Sequence, residues 1–316
     1  MKNNGSDWTK LLPYSRFNDF TAPAADRYAI LLECIEALKL NSAVIPIEGN
    51  RHIFIFPSNQ KSLRAAGGVF PFSGMSPYLF SAHYDRVEGS PGANDNSIAV
   101  FHLLSAAVKL ANLTAKYPAQ KKICKWLIIF TDKEELIQGE SFEDQGAFSL
   151  AKKLKLWGLE KAKIYNFDAC GAGDTFILST TTDILLRDSE SHNINNLREA
   201  ILHLRDHALE TANNLRLEKV LLAPTPFSDD IGFLRAGLSA QTVTILPANE
   251  AKQYEALIRS RPEFAQLIIS GKVKEPHEYR RLPETWRSLN GPADTSSRLT
   301  PEHFEQFVNF VIKLAE

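Results

Sequence analysis

Four stretches of the chain carry side chains able to do chemistry together. The first is Ser81-Ala82-His83-Tyr84-Asp85, at the end of an apolar run. An imidazole so placed suits a zinc ligand. A carboxylate two residues on can accept the other ring N–H, which fixes the tautomer and raises the basicity of the ring. The second stretch is Gly92-Ala93-Asn94-Asp95-Asn96-Ser97, at the opening of a helical pattern. Helix capping accounts for an Asp or Asn there, but not for the Gly-Ala-Asn approach. The third is Asp132-Lys133-Glu134-Glu135, directly after the apolar Ile129-Phe130-Thr131. Adjacent glutamates can divide labour, one binding metal while the other accepts a proton from the attacking water. The competing reading is a solvated charge run. The fourth is Asp168, between Tyr165-Asn166-Phe167 and Ala169-Cys170-Gly171, where an Asp-initiated turn is the simpler alternative. Each signal is modest alone. A histidine and carboxylates that recur at the ends of successive apolar runs are most simply gathered by a metal.

Positioning these residues requires strands that end at one edge. Strand patterns are read at Ser42–Ile47, His52–Phe56, Tyr78–Ala82, Lys125–Thr131, Ala162–Phe167, Thr175–Ser179 and Thr242–Leu246. Trp126-Leu127-Ile128-Ile129-Phe130 is apolar enough for a strand buried on both faces. Helical spacing appears in Ala24–Leu40, Asn96–Leu113, Phe142–Trp157 and Asn195–Ala212. A last helix opens with Thr300 as cap and Pro301 in the first position. Strands alternating with helices predict an α/β sheet covered by helices on both faces. Ligands in such sheets sit beyond the carboxyl ends of strands, where the residues above fall. No internal repeat interrupts the pattern.

Composition is that of a globular protein, with 44% hydrophobic and 23% charged residues among 316. A net charge of -1 provides no field to hold nucleic acid or an anionic membrane. The expected partner is a peptide or small amide; no oligomeric state is readable. The cysteines Cys34, Cys124 and Cys170 have no C-x-x-C spacing, which points to a reducing compartment and a cytoplasmic location. Met1–Phe17 lacks the apolar core of a secretory signal. No apolar stretch is read as approaching the ~20 residues that span a bilayer.

From about Pro77 onward the motifs resemble the di-zinc aminopeptidase family, which includes glutaminyl cyclases, glutamate carboxypeptidase and the protease-like domain of transferrin receptor. The order is His-x-Asp, Gly-Ala-x-Asp-Asn, Glu-Glu, an apolar strand with Asp, then Ser228-Asp229-Asp230 with Phe233 and Gly237. Asp230 stands where the family often has His. The resemblance implies a three-layer fold, a mixed and mostly parallel sheet flanked by helices on both faces. It implies one zinc-exopeptidase-like domain over 1–316, with an insertion at about 248–289. That insertion is open to three readings: a cover over the site, an oligomer contact, or solvated helices.

Carried over by motif, the resemblance assigns His83 and Asp168 to one zinc and has Asp95 bridge two zincs. Glu135 binds the second, Glu134 is the general base and Asp85 orients His83. The expected reaction is hydrolysis of N-terminal peptide or amide bonds. The chain departs from the family in Asn290-Gly291-Pro292-Ala293-Asp294-Thr295, where His-Thr-Pro-x-Asp-Thr is usual. Asn290 then falls at a ligand position for which a neutral amide is poorly suited. Three outcomes are open: one tightly held zinc, a harder second metal such as Mn²⁺ or Mg²⁺, or a histidine (His277 or His303) entering from elsewhere. Ile137-Gln138-Gly139-Glu140-Ser141 likewise replaces the family's Gly-Leu-x-Gly-Ser. The alternatives to a hydrolase are a non-catalytic scaffold and, against the missing histidine, a glutaminyl cyclase.

Overall fold

Apolar runs and amphipathic stretches assemble as one eight-stranded sheet with helices against it. The computed structural model describes residues 8–57, 76–117, 125–187, 191–269 and 276–316. The strands are β1 (Ser42–Ile47), β2 (Asn50–Ile55), β3 (Tyr78–His83), β4 (Trp126–Thr131), β5 (Lys163–Phe167), β6 (Thr175–Ser179), β7 (Val220–Ala223) and β8 (Ala240–Leu246). The helices before the midpoint are α1 (Phe17–Thr21), α2 (Arg27–Ala37), α3 (Ile98–Lys116) and α4 (Gly146–Leu156). Then come α5 (Thr181–Leu186), α6 (His192–Asn214), α7 (Asp229–Arg235), α8 (Ala248–Ser260), α9 (Glu263–Ile269), α10 (Pro276–Tyr279), α11 (Glu284–Ser288) and α12 (Phe304–Leu314).

The sheet order is β1-β2-β4-β3-β5-β8-β6-β7. Its centre, β4-β3-β5-β8, is parallel. The β1–β2 hairpin lies antiparallel at one edge, and β6 runs antiparallel to β8. The hairpin turns on Glu48 and Gly49, both with positive φ (49° and 90°), the pairing that matches strand twist. Pro46 is tolerated because β1 is an edge strand.

Side chains alternate along the central strands, so the two faces bury different sets. Phe80, Ala82, Ile128, Phe130, Tyr165 and Phe167 join a cluster with α3 and α12. Leu79, Leu127, Ile129 and Ile164 point the other way, against Ala147, Leu150, Ala151 and Leu154 of α4. Every residue of β4 is buried, as the unbroken apolar run predicts. The α/β sheet with helices on both faces is therefore the observed architecture.

One sequence expectation needs correction. Ala93–Lys116 is long and apolar enough, by length and composition, to cross a bilayer. Its apolarity comes from its place in the core: Ile98, Phe101, Leu104, Ala107 and Leu110 are fully buried between the sheet and α12. A helix covered on most sides is apolar most of the way round.

The strand β7 and the short α5 and α7 were not read from sequence. Helix ends also moved: the span 24–40 resolves into α2 with Asp26 capping Ala29 N–H, and the span 142–157 into a short turn followed by α4. Within 248–289, Ala251, Tyr254, Phe264, Ile268 and Trp286 pack with Ile177, Ala223 and Leu246 of the sheet. Residues 270–275 of that segment, and Cys124, lie outside the described residues; Cys34 and Cys170 are buried free thiols.

Candidate metal centre

Because β4, β3 and β5 are parallel neighbours, their carboxyl ends share one edge. His83 is the last residue of β3 and pairs in register with Thr131, the last of β4. Glu134 and Glu135 lie just past β4, and Asp168 directly follows β5. Asp95 arrives from the turn Ala93–Ser97 that opens α3; the Asp95–Asn96 peptide is cis.

The sequence-predicted residues converge. His83 is 1% exposed. Its Nε2 stands 3.1 Å from Asp95 Oδ1 and 3.8 Å from Asp168 Oδ1. Its Nδ1 is 3.4 Å from Asp85 Oδ1, so Asp85 occupies the orienting side of the ring. Asp85 also accepts the backbone N–H groups of Glu134 (3.1 Å) and Glu135 (3.0 Å). One carboxylate thus fixes both the histidine and the glutamate loop. Two groups of potential ligands have donor atoms within 4.8 Å of one another: His83, Asp95 and Asp168, and His83, Glu134 and Glu135. Asn290 reaches the same place, its amide 2.8 Å from Glu135 Oε1 and 3.2 Å from Asp95 Oδ2. Among the described residues neither group includes His277 or His303. His277 is exposed beside Glu278, so no substitute histidine enters.

Several supporting residues escaped the sequence reading. Asp294, fully buried, accepts the N–H groups of Asn94 (2.8 Å) and Asp95 (3.0 Å). It holds the turn that carries Asp95. Arg27, from the start of α2, lies buried under the approach loop. It donates to the carbonyls of Phe20, Tyr84, Asp85, Pro91 and Gly92 and to Ser97 Oγ. Gly92 has φ +57, and a Cβ there would stand 2.7 Å from Arg27 Nη2 and 2.6 Å from the Asp95 carbonyl oxygen; the Gly of the motif is a packing requirement. Gln145 donates to Glu134 Oε1 at 3.2 Å. Thr131 donates to the buried Asp229 at 2.5 Å. Gly92, Asp229 and Asp294 carried a signal, as parts of the Gly-Ala-x-Asp-Asn, Ser-Asp-Asp and Pro-x-Asp-Thr runs. Arg27 sits far away in the chain amid ordinary helix sequence.

A cavity of about 80 Å³ opens beside these carboxylates. Asp95, Glu134, Asp168 and Asn290 form its polar side; Phe227, Trp286 and Leu289 are among its apolar walls.

A family model of peptidase family M28 matches residues 71–304. The chain belongs to peptidase family M28. The family is one of peptidases, which implies peptide substrates for its members. Several solved structures share the fold. A leucine aminopeptidase precursor from Bacteroides thetaiotaomicron is 15% identical, with a TM-score of 0.59 over 95% of this chain and 93% of that one. A glutaminyl cyclase from Porphyromonas gingivalis is 15% identical, with a TM-score of 0.59 over 95% and 94%. BSAP, a zinc aminopeptidase from Bacillus subtilis, is 16% identical with a TM-score of 0.50. There the match covers 84% of this chain but 49% of that one, about half its length. At these identities the likeness is one of fold. Comparison with curated protein sequences returns no match.

The chemistry of the M28 chain's donor set fits a cation. The buried ring nitrogens of His83 face only carboxylate oxygens, at ion-pair distance without well-formed hydrogen bonds, and Asp168 Oδ1 is buried without a hydrogen-bond partner among the described residues, although such groups are rarely left unpaired. Burial pushes the Glu134 carboxyl well up, and the negative charges of Glu135, Asp168 and Asp229 add to this. Burial and Asp95 raise Glu135 to about 9. Burial raises Asp95, and Asp168 adds to it. Burial alone would lower His83, but Asp168, Asp85 and Asp95 outweigh it and hold the imidazole well above its usual value. Asp85 is the contrast: burial would raise it, yet His83 and the two loop N–H groups keep it low. A dication among these groups removes the mutual repulsion.

Two outcomes are expected. Arg27→Met strands several buried carbonyls and should lower unfolding free energy by roughly 2–4 kcal/mol; an unchanged denaturation midpoint would count against this role. The second concerns pH. Carboxyls raised in the fold bind more protons folded than unfolded, so metal-free stability falls as pH rises. The fall should begin near the unfolded carboxyl value of about 4 and continue through about 6 for Asp294, 7 for Asp229 and 9 for Glu135. His83, also raised, acts in the same direction. Melting curves in chelator at pH 5 and pH 9 check this, and a higher melting temperature at pH 9 would contradict it.

Proposed function

We propose that the chain is a zinc-dependent aminopeptidase that removes N-terminal residues from peptides or small amides. The observation that carries this reading is the placement of Glu134. It stands at the wall of the cavity, beside an imidazole and carboxylates that fit a metal, with one oxygen held by Gln145. His83, Asp95 and Asp168 would hold the zinc, with Glu135 alongside. Bound there, zinc supplies Lewis-acid polarisation of the scissile carbonyl and makes water more acidic.

The chain's own residues do the rest. Glu134 takes the proton of the attacking water and returns it to the leaving amine. Asp85 keeps His83 in one orientation and, through the N–H groups it accepts, fixes the loop that aims Glu134. Asp294 sets the turn that aims Asp95. Phe227, Trp286 and Leu289 enclose the side chain of the substrate. Aminopeptidase activity is supported by the fold shared with a zinc aminopeptidase and a leucine aminopeptidase precursor. The cyclase relatives share the fold over nearly the whole chain, so N-terminal glutaminyl peptides belong in the assay. Ammonia release without peptide cleavage would favour that second reading.

Glu134→Gln should keep its bound metal and lose at least ~100-fold in kcat/KM on aminoacyl substrates, the usual scale for a general base. Undiminished turnover in the purified variant would remove Glu134 from the mechanism. Exhaustive chelation should abolish activity and added Zn²⁺ restore it; an enzyme indifferent to chelation would sink the metal reading.

A further inference from the structure

We infer that the centre holds a single zinc per chain, with the Asn290 side-chain amide standing in for a second cation between Glu135 and Asp95. The inference rests on the metal reading above and adds its stoichiometry.

The two groups of potential ligands are not independent, because both draw on His83. It is the only imidazole in either group, so one ion at His83 draws on the strongest neutral ligand available to both. What remains is oxygen: Glu135 and the far oxygen of Asp95. The amide of Asn290 already meets these atoms. With its nitrogen turned inward it donates to Glu135 Oε1 at 2.8 Å, to Glu135 Oε2 at 3.3 Å and to Asp95 Oδ2 at 3.2 Å. With its oxygen inward the same positions would set a carbonyl against the acceptor oxygens of two carboxyl groups, a contact that needs a proton or a cation between them. The hydrogen-bond pattern selects the nitrogen-inward orientation.

Asp95 is thereby divided. Its Oδ1 faces His83 Nε2 at 3.1 Å, and its Oδ2 faces Asn290. One side serves the ion and the other is tied to a neutral donor. A carboxamide has two N–H groups, enough to serve Glu135 and Asp95 at once. Its backbone suits the position, since Asn290 has φ 58°, a left-handed conformation that Asn tolerates. A side chain offering a lone pair in place of N–H would change the count. Histidine does so, and it also accepts positive φ more readily than most residues.

The test is metal content. Stripped protein is reloaded with excess Zn²⁺ and desalted, and bound metal per chain is measured by elemental analysis and by calorimetric titration. Wild type should hold one zinc and Asn290→His two. Asn290→Asp, which also tolerates the backbone and adds a carboxylate, should likewise take up a second ion and guards against a misfolded histidine variant. Two zincs in wild type, or one in both variants, would overturn the inference while leaving the metal centre intact. No zinc in wild type would overturn the centre itself.

Discussion

Carboxylates do not collect in a buried pocket unless something positive holds them there. Moving one ionised carboxylate out of water costs several kcal/mol even after relaxation. A whole domain is stable by only about 5–15 kcal/mol. Asp95, Glu134 and Asp229 are all buried at one edge of the sheet, with Asp85, Glu135 and Asp168 beside them. Without a cation, these groups answer by shifting toward their protonated forms. The raised carboxyls and the raised imidazole are two expressions of one fact: the fold has gathered negative charge in advance of the ion that makes sense of it.

The rest of the structure can be understood as what keeps that gathering in register. The parallel strands deliver His83, the glutamate pair and Asp168 to a common edge, but strand ends alone leave loops free to splay. Three groups, two of them buried and one half-buried, prevent it. Asp85 ties His83 to the loop after β4. Asp294 ties the C-terminal segment to the turn of Asp95. Arg27 ties the N-terminal helix to the loop between them. Arg27 is charged and buried, yet it faces carbonyls in place of a carboxylate, and its pKa falls to about 9, first through burial and then through the charge of Arg86. It therefore acts chiefly as a rigid fork of donors.

How much of this was legible in the sequence follows from the range of each interaction. His83, Glu134, Glu135 and Asp168 were readable because each follows closely on an apolar run, and Asp95 because it opens a helical pattern; local patterning marks both kinds of boundary. The central strands were readable for the same reason: Trp126–Thr131 is buried on both faces and apolar throughout. Arg27 was not, because its partners lie near residues 84–97 and nothing beside it announces them. The strand β7 was missed because Val220 and Leu221 are only partly buried and Leu222 is exposed, which leaves a weak pattern. The helix α3 was read as a helix, but its apolar length was underestimated. Complete burial in a protein core and burial in lipid write the same apolar sequence, and only the neighbours of α3 tell them apart.

Asn290 bears on whether the centre is alive or a relic. A relic would be expected to relax: once no ion is bound, selection for stability favours replacing buried carboxylates with apolar residues of similar size, which is often neutral or stabilising. The pocket shows no such relaxation around His83, whose carboxylate neighbours are all present. At Asn290 the amide satisfies Glu135 and Asp95 without asking the inner ligands to move. Under the single-zinc reading proposed above, a change that leaves the costly inner cluster in place while quieting its rim alters the metal count and keeps the chemistry, whereas a scaffold would keep the burden of the cluster without its use.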